Sequence, residues 1–187
     1  MLYSDYKNSR NLAWEILLRE TVAALPVGMT KLCKGMGIPV LLHDDPARGD
    51  GFCVVVNGQP CIFVYRNAYR PRQRFTVAHE LGHILLGHVG KYTLVNREPS
   101  KNDNPIEQAA NVFAARLLAP ACVLWGCNAF TPEAIADLCD ISMQAAVFRA
   151  ERMDLLRERG KFLTSPLERK VFLQFRQFIL SNKNRYL

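Results

Sequence analysis

Two histidines four residues apart, with a glutamate beside the first, are the side chains of this sequence best suited to chemistry. They stand in His79-Glu80-Leu81-Gly82-His83, inside an apolar run of good helix formers. On an α-helix, residues four apart lie on the same face, so His79 and His83 can offer ring nitrogens to one ion. Zinc accepts such a pair at about 2.0–2.1 Å and keeps a position open for water in catalytic sites. Glu80 is placed to take a proton from that water.

Chance occurrence is the alternative to a metal site. The same five-residue pattern turns up in unrelated helices, where two histidines can be solvated surface groups. Here the residues on both sides of the pattern are apolar, which indicates a buried helix. A buried helix has no obvious reason to carry His, Glu and His in its middle unless these polar groups have binding partners. We therefore favour the metal site. Gly82 has no side chain, so another helix could approach the turn between the two ligands.

The two histidines need a third protein ligand, because a catalytic zinc usually has three. A histidine six residues after the second would be one solution, but that position is Val89. His88 is one place short of it, and the pattern gives His88 no role. The acidic candidates downstream are Glu98, Asp103 and Glu107.

These three candidates differ in their surroundings. Glu98 and Asp103 lie in a polar segment that is typical of a loop, whereas Glu107 opens a strong helix pattern over residues 105–118. Alanines recur along that helix and would allow close packing against the metal helix. Asn111, one turn after Glu107, could orient a ligand imidazole through the second ring nitrogen.

The elements upstream must position the metal helix. Helical spacing predicts helices at about residues 8–24 and 30–34, and residues 38–42 are typical of a strand. Two further β-rich runs, 52–56 and 61–65, are separated by Asn57-Gly58, a strong hairpin signal. We expect a small, mainly antiparallel three-stranded sheet that leads into the metal helix, with Pro71 in the first turn of that helix.

The region after Pro120 has a helix-turn-helix outline. Thr131 and Ser142 are each typical N-caps of a helix, with a short turn between the two helices. One interpretation is DNA binding through three side chains of the second helix: Gln144, Arg149 and Arg152. We favour the other, a packing element that supports the catalytic half or holds a substrate, because an outline alone is weak support for DNA binding.

The C-terminal segment begins with a capping-box pattern at Ser165. Apolar residues then recur at helical spacing, so we predict a terminal amphipathic helix that packs on the core; docking of a partner is the less favoured alternative. The sequence suggests a first domain at residues 1–120 and a helical C-terminal region at residues 121–187.

Composition and charge set outer limits. The 187 residues are 49% apolar and 22% charged, which is ordinary for a globular protein. The first twenty residues carry scattered charges and no signal-peptide core, and no apolar run approaches membrane-spanning length, so we expect a cytoplasmic protein without a membrane partner. The six cysteines form no Cys-x-x-Cys pair, and most are expected to be small buried thiols.

The net charge of +7 is unevenly placed. Residues 149–187 hold ten Lys/Arg against four Asp/Glu, and a second basic cluster precedes the metal helix at Arg66, Arg70, Arg72 and Arg74. Basic patches suit nucleic acid. They are more often solvated faces, so nucleic acid is a partner that we consider but do not favour.

Residues 74–83 together with the stretch from Glu107 to Pro120 resemble the ImmA/IrrE metallopeptidases, a gluzincin-like family of bacteria and their mobile elements. The resemblance implies an α+β fold with a zincin-like helical core, zinc on His79, His83 and Glu107, and Glu80 as general base. It also implies a protein substrate, typically a helix-turn-helix repressor of a phage or integrative element. Relatives often carry a histidine where Gly87 stands here, directly after Leu85-Leu86.

Two classes of function therefore compete. The first is a zinc endopeptidase that cleaves a regulatory protein, in which Asn111 orients a ligand imidazole. A donor to the developing oxyanion is also needed, and the sequence leaves Tyr92 and basic residues as candidates. The second is a DNA-binding or scaffolding regulator with a vestigial metal site. We favour the endopeptidase, because a degenerate site should have lost the non-ligand Glu80 first.

Overall fold

The structure is a computed structural model that describes residues 2–89 and 104–186. It has the predicted α+β architecture. The helices are α1 (Tyr3–Arg19), α2 (Met29–Gly35), α3 (Arg70–Leu85), α4 (Pro105–Leu118), α5 (Ala121–Gly126), α6 (Pro132–Cys139), α7 (Met143–Glu158), α8 (Pro166–Gln174) and α9 (Arg176–Asn182). The strands are β1 (Val40–His43), β2 (Gly51–Val56) and β3 (Gln59–Tyr65), with a 3-10 helix at Pro46–Arg48.

The chain divides into two compact units. One comprises Met1–Arg10 and Gly28–Ala114, and the other comprises Asn11–Val27 and Ala115–Leu187. The first unit contains the sheet, α2, α3 and most of α4; the second contains α5 to α9. The domain boundary after residue 120 stays a prediction.

The predicted hairpin is present, but the sheet is mixed rather than mainly antiparallel. Strands β2 and β3 pair antiparallel across Asn57 and Gly58, which both have positive φ (51° and 80°), as a two-residue type I′ turn requires. Strand β1 pairs parallel with β3, and the strand order is β1-β3-β2. The prediction was wrong on this point because alternation of side chains identifies strands without giving the direction in which they pair.

Helix α3 packs on β2 and β3. Gly51 allows this close approach, because a Cβ there would lie 2.5 Å from the side chain of Thr76 on α3. On β3, Ile62 and Val64 are buried. Pro71 lies in the first turn of α3, as predicted, behind the N-cap Tyr69. The sheet therefore supports the helix that carries both histidines.

Helix α4 lies against α3 at Gly82. A Cβ at Gly82 would lie 3.0 Å from the ring of Phe113 and 3.3 Å from the Cα of Ala110. Both α4 residues are fully buried. The small residues that the sequence supplies on each helix thus permit the close approach that we expected.

The second unit has the predicted helix boundaries at α6 and α7. Thr131 accepts a hydrogen bond from the Ala134 N–H, and Ser142 accepts one from the Ala145 N–H, so both N-caps are confirmed. Asp140 makes the turn between them in the left-handed region, at φ 52°. Whether the pair forms a DNA-binding motif stays a prediction.

Arg149 is not available to read DNA. Only 3% of Arg149 is exposed, and its Nε donates to the carbonyl of Ala119 at 2.8 Å. Sequence reasoning placed Arg149 among possible DNA contacts because an arginine on a helix is usually solvated. The neighbouring positions Val147 and Phe148 are the exposed ones.

The C-terminal segment forms two helices instead of the one that we expected, because α8 ends at Gln174 and α9 begins at Arg176. Ser165 caps α8 by accepting from the Glu168 N–H, and the Glu168 carboxylate accepts from the N–H of Thr164. The apolar face of these helices is in the core, where Val171, Phe175 and Ile179 are buried. Core packing of the segment is therefore confirmed.

One apolar segment is long enough to span a membrane, although the sequence analysis predicted that none would be. Within the described residues, Pro105–Gly126 has the length and composition of a membrane span. Most of its apolar stretch is buried inside the protein, and the core helix of a soluble protein can have the same length and composition. Helix α4 also ends at Leu118, before Pro120 caps α5. The segment is weak support for a membrane span, and a cytoplasmic location stays a prediction.

The six cysteines all lie in the described part of the chain, and all are free thiols. Five are buried, as expected, and Cys53 is half-buried. Burial raises the pKa of the Cys33 thiol to about 12 and that of Cys127 to about 11. These two residues therefore act as small core side chains and not as nucleophiles.

Candidate metal centre

The two histidines of α3 point their Nε2 atoms at each other. His79 and His83 are 9% and 6% exposed, and their Nε2 atoms lie 3.0 Å apart. Because the residues are one helical turn apart, both rings leave the same side of α3. Phe75, one turn before His79, stacks on the His79 ring with 6.1 Å between centroids.

Glu107 closes the group from the first turn of α4. Its Oε2 lies 3.1 Å from the Nε2 of His79, and its Oε1 lies 3.3 Å from the Nε2 of His83. Hydrogen bonds from His79 and from His83 hold the pKa of the Glu107 carboxyl well below its usual range. One donor atom from each of the three residues lies within 4.8 Å of the others.

This donor set fits a divalent transition metal. Two imidazoles and one carboxylate are a known zinc ligand set, and atoms bound at about 2.0–2.1 Å to a tetrahedral ion lie about 3.3 Å apart. The three separations of 3.0, 3.1 and 3.3 Å are close to that value. The side chains are thus already gathered at the spacing that an ion needs, although zinc itself stays a prediction.

Each of the two imidazole rings also has a polar partner at its other nitrogen. The Nδ1 of His79 lies 2.9 Å from the Oδ1 of Asn111, one turn along α4 from Glu107, so the contact that the sequence suggested is present. The Nδ1 of His83 lies 3.0 Å from the Nδ1 of His88. Sequence reasoning missed His88, since it tested that residue only as a ligand. The available signal was Gly87, a residue that commonly ends a helix and turns the chain back.

Glu80 is fully buried, with 0% of its surface exposed. It follows His79 directly on α3, and α3 is buried continuously from Thr76 to His83. A carboxylate is rarely found fully buried without a specific reason. Its position next to a candidate ligand supplies such a reason.

Three other candidates from the sequence, Glu98, Asp103 and Tyr92, lie outside the described residues.

The basic cluster does not precede α3 as expected, because the helix begins at Arg70 and includes all of the cluster except Arg66. Its charge is partly neutralised. The Nε of Arg66 lies 2.7 Å from Asp44, and Arg72 pairs with Asp50. All four of these side chains are largely exposed, so the pairs fit a solvated surface better than a nucleic-acid site.

Comparison with protein families gives a match that covers more than half of the chain. The family model named Peptidase_M78, described as the IrrE N-terminal-like domain, matches residues 33–151. The matched range includes the sheet, α3, α4 and every residue of the metal group. A comparison with curated proteins found no significant match.

Proposed function

Because the chain belongs to the Peptidase_M78 family of metallopeptidases, the IrrE N-terminal-like group, we propose that it is a zinc-dependent endopeptidase. The observation that carries the proposal is the convergence of His79, His83 and Glu107, with the buried Glu80 adjacent to His79 in the chain. A vestigial site would have little reason to keep a buried carboxylate that is not a ligand, since burying it costs free energy.

The side chains divide the work in the following way. His79, His83 and Glu107 would hold the ion, which when bound supplies a more acidic water and polarises the scissile carbonyl. The Glu80 carboxylate accepts the proton of the attacking water and then donates it to the leaving amine. Asn111 keeps the His79 ring oriented by accepting from its Nδ1–H.

The substrate that we propose is a regulatory protein, a helix-turn-helix repressor of a phage or other mobile element. Support for this comes from the resemblance to the ImmA/IrrE family. The location that we propose is the cytoplasm, where such a repressor acts. The rival function, a DNA-binding regulator, loses one of its three candidate contacts on α7, because Arg149 is buried, whereas Gln144 is exposed.

The test is the substitution Glu80→Gln, which keeps the size of the side chain and removes its ability to take a proton. We expect zinc content to stay near one ion per chain, while cleavage of a repressor encoded beside this gene falls by about 10²–10⁴-fold. Cleavage is followed by gel electrophoresis and mass spectrometry of purified proteins. The matched control is Glu151→Gln, a substitution at an exposed position on α7. This variant should cleave the repressor at the unchanged rate.

Cleavage by the Glu80→Gln protein at the normal rate would show that Glu80 is not the base. Absence of bound zinc from the unaltered protein, measured by atomic emission after dialysis, would contradict the metal centre itself. Salt-dependent binding of a specific operator by the zinc-free protein would favour the rival regulator.

A further inference from the structure

The end of helix α3 turns the chain back over a metal-centre histidine. Leu86 caps the helix, and Gly87 follows with φ +71°. The Gly87 N–H donates to the Ile84 carbonyl at 3.1 Å, and the His88 N–H donates to the His83 carbonyl at 2.9 Å. These two bonds define a Schellman motif, which brings His88, two residues after the cap, beside His83, three residues before the cap.

The motif sets the two imidazoles against each other. The rings of His83 and His88 meet edge to face, with 5.2 Å between centroids and 65° between planes. Their Nδ1 atoms are 3.0 Å apart. A neutral imidazole carries a proton on one nitrogen only, so the partner of one nitrogen decides which form the ring takes.

We propose that His88 is a positioning residue that holds His83 ready for the ion. In the form that binds an ion, the Nδ1–H of His83 donates to the Nδ1 of His88, and the Nε2 of His83, which faces His79 and Glu107, carries no proton and offers its lone pair. His88 thus does for His83 what the Asn111 amide oxygen does for His79. The inference rests on the proposed metal function and adds a residue to it.

The end of helix α2 shows that ending a helix does not itself require this histidine pair. There Gly37 has φ +69°, its N–H donates to the Lys34 carbonyl at 3.1 Å, and the Ile38 N–H donates to the Cys33 carbonyl at 2.9 Å. The same motif therefore carries Ile38 and Cys33, both buried, where α3 carries His88 and His83. An apolar pair is the usual companion of a Schellman motif.

The geometry also explains why Gly87 precedes His88. A Cβ at Gly87 would meet nothing within 4 Å, so space does not require glycine there. The left-handed conformation does, because most residues with a side chain are strained in it. Gly87 turns the chain so that a histidine five residues after His83 returns to it.

The experiment measures zinc affinity by competition with a fluorescent chelator. We expect His88→Ala to weaken zinc binding by about 10–100-fold, the usual effect of losing a ligand's hydrogen-bonding partner. His88→Asn should restore much of that affinity, because the amide oxygen can take the place of Nδ1 as acceptor. A role confined to ending the helix would give the two variants equal zinc affinities.

Gly87→Ala and Gly37→Ala form the matched pair of controls. They introduce Cβ atoms at nearly equal φ, with nothing within 4 Å of either. Both should lower the melting temperature of the metal-free protein to a similar extent. Only Gly87→Ala should also weaken zinc binding, because only that turn places a side chain against a metal-centre histidine.

The proposal is overturned if His88→Ala binds zinc within twofold of the unaltered protein, or if Gly37→Ala weakens binding as much as Gly87→Ala does. Failure of the metal function itself looks different, because the unaltered protein would then bind no stoichiometric zinc. Stoichiometric zinc with no effect of His88→Ala would refute the inference alone.

Discussion

Helices α3 and α7 have sixteen residues each, and each buries polar side chains together with apolar ones. Helix α3 buries His79, Glu80 and His83 along with its apolar residues. Helix α7 buries Arg149 with Ala146, Ala150 and Met153, and leaves large apolar side chains exposed: Met143, Val147, Phe148 and Leu155.

The difference lies in what satisfies the buried polar groups. On α3 the ring nitrogens of both histidines meet side chains, namely Glu107, Asn111 and His88. On α7 the Arg149 guanidinium meets a backbone carbonyl, that of Ala119. On α3 these contacts gather three side chains around one point, at which an ion can bind, whereas the contact of Arg149 with Ala119 fastens α7 to the segment that follows α4.

The largest expected effect comes from Glu107→Gln, which removes the carboxylate shared by both α3 histidines. Zinc affinity should fall by more than the ~100-fold that loss of an outer partner can cost, as measured by chelator competition. The control is Glu133→Gln, which also replaces an acidic residue in the first turn of a helix but lies far along the chain and is exposed. Unchanged zinc affinity of the Glu107→Gln protein would show that Glu107 does not bind the ion.

On α7 we expect Arg149→Ala to lower the free energy of unfolding by about 2–4 kcal/mol, because it leaves a buried carbonyl without its charged donor. Urea denaturation followed by circular dichroism measures the change. Arg157→Ala on the same helix removes an exposed pair with Asp154 and a contact with the ring of Phe130, and should cost less than about 1 kcal/mol. Equal costs for the two arginines would contradict the anchoring role of Arg149.

The smallest effect is expected from Phe148→Ser on the outer face of α7. Phe148 is 64% exposed, so the free energy of unfolding should change by less than about 0.5 kcal/mol. Phe175→Ala, a fully buried phenylalanine of the same unit, should cost about 3–5 kcal/mol in the same denaturation experiment. A comparable cost at Phe148 would mean that α7 buries its apolar face.

Most element positions followed from local rules. The caps at Thr131 and Ser142 and the turn at Asn57-Gly58 depend on the chemistry of a few adjacent residues, and all three were predicted. The parallel pairing of β1 with β3 was not, because strand direction is set by how distant segments meet. The division of the C-terminal helix at Phe175 was likewise missed, since apolar spacing continues through it.

The candidate site shows the same contrast. Spacing alone placed His79 and His83 on one side of a helix and made Glu80 their neighbour, because a helix repeats every 3.6 residues. Sequence reasoning also singled out Asn111, but left Glu107 as one of three acidic candidates until the family resemblance favoured it.

What the sequence determined by itself is therefore local: the histidine pair, the helix ends and the hairpin, each fixed by backbone geometry within a few residues. Only the tertiary structure decided that Glu107 and Asn111 meet the histidines, that His88 returns to His83, and that Arg149 is buried while Phe148 is exposed. The physical reason is that helical periodicity groups residues into faces, whereas packing between segments distant in sequence decides which face is buried and which polar groups meet.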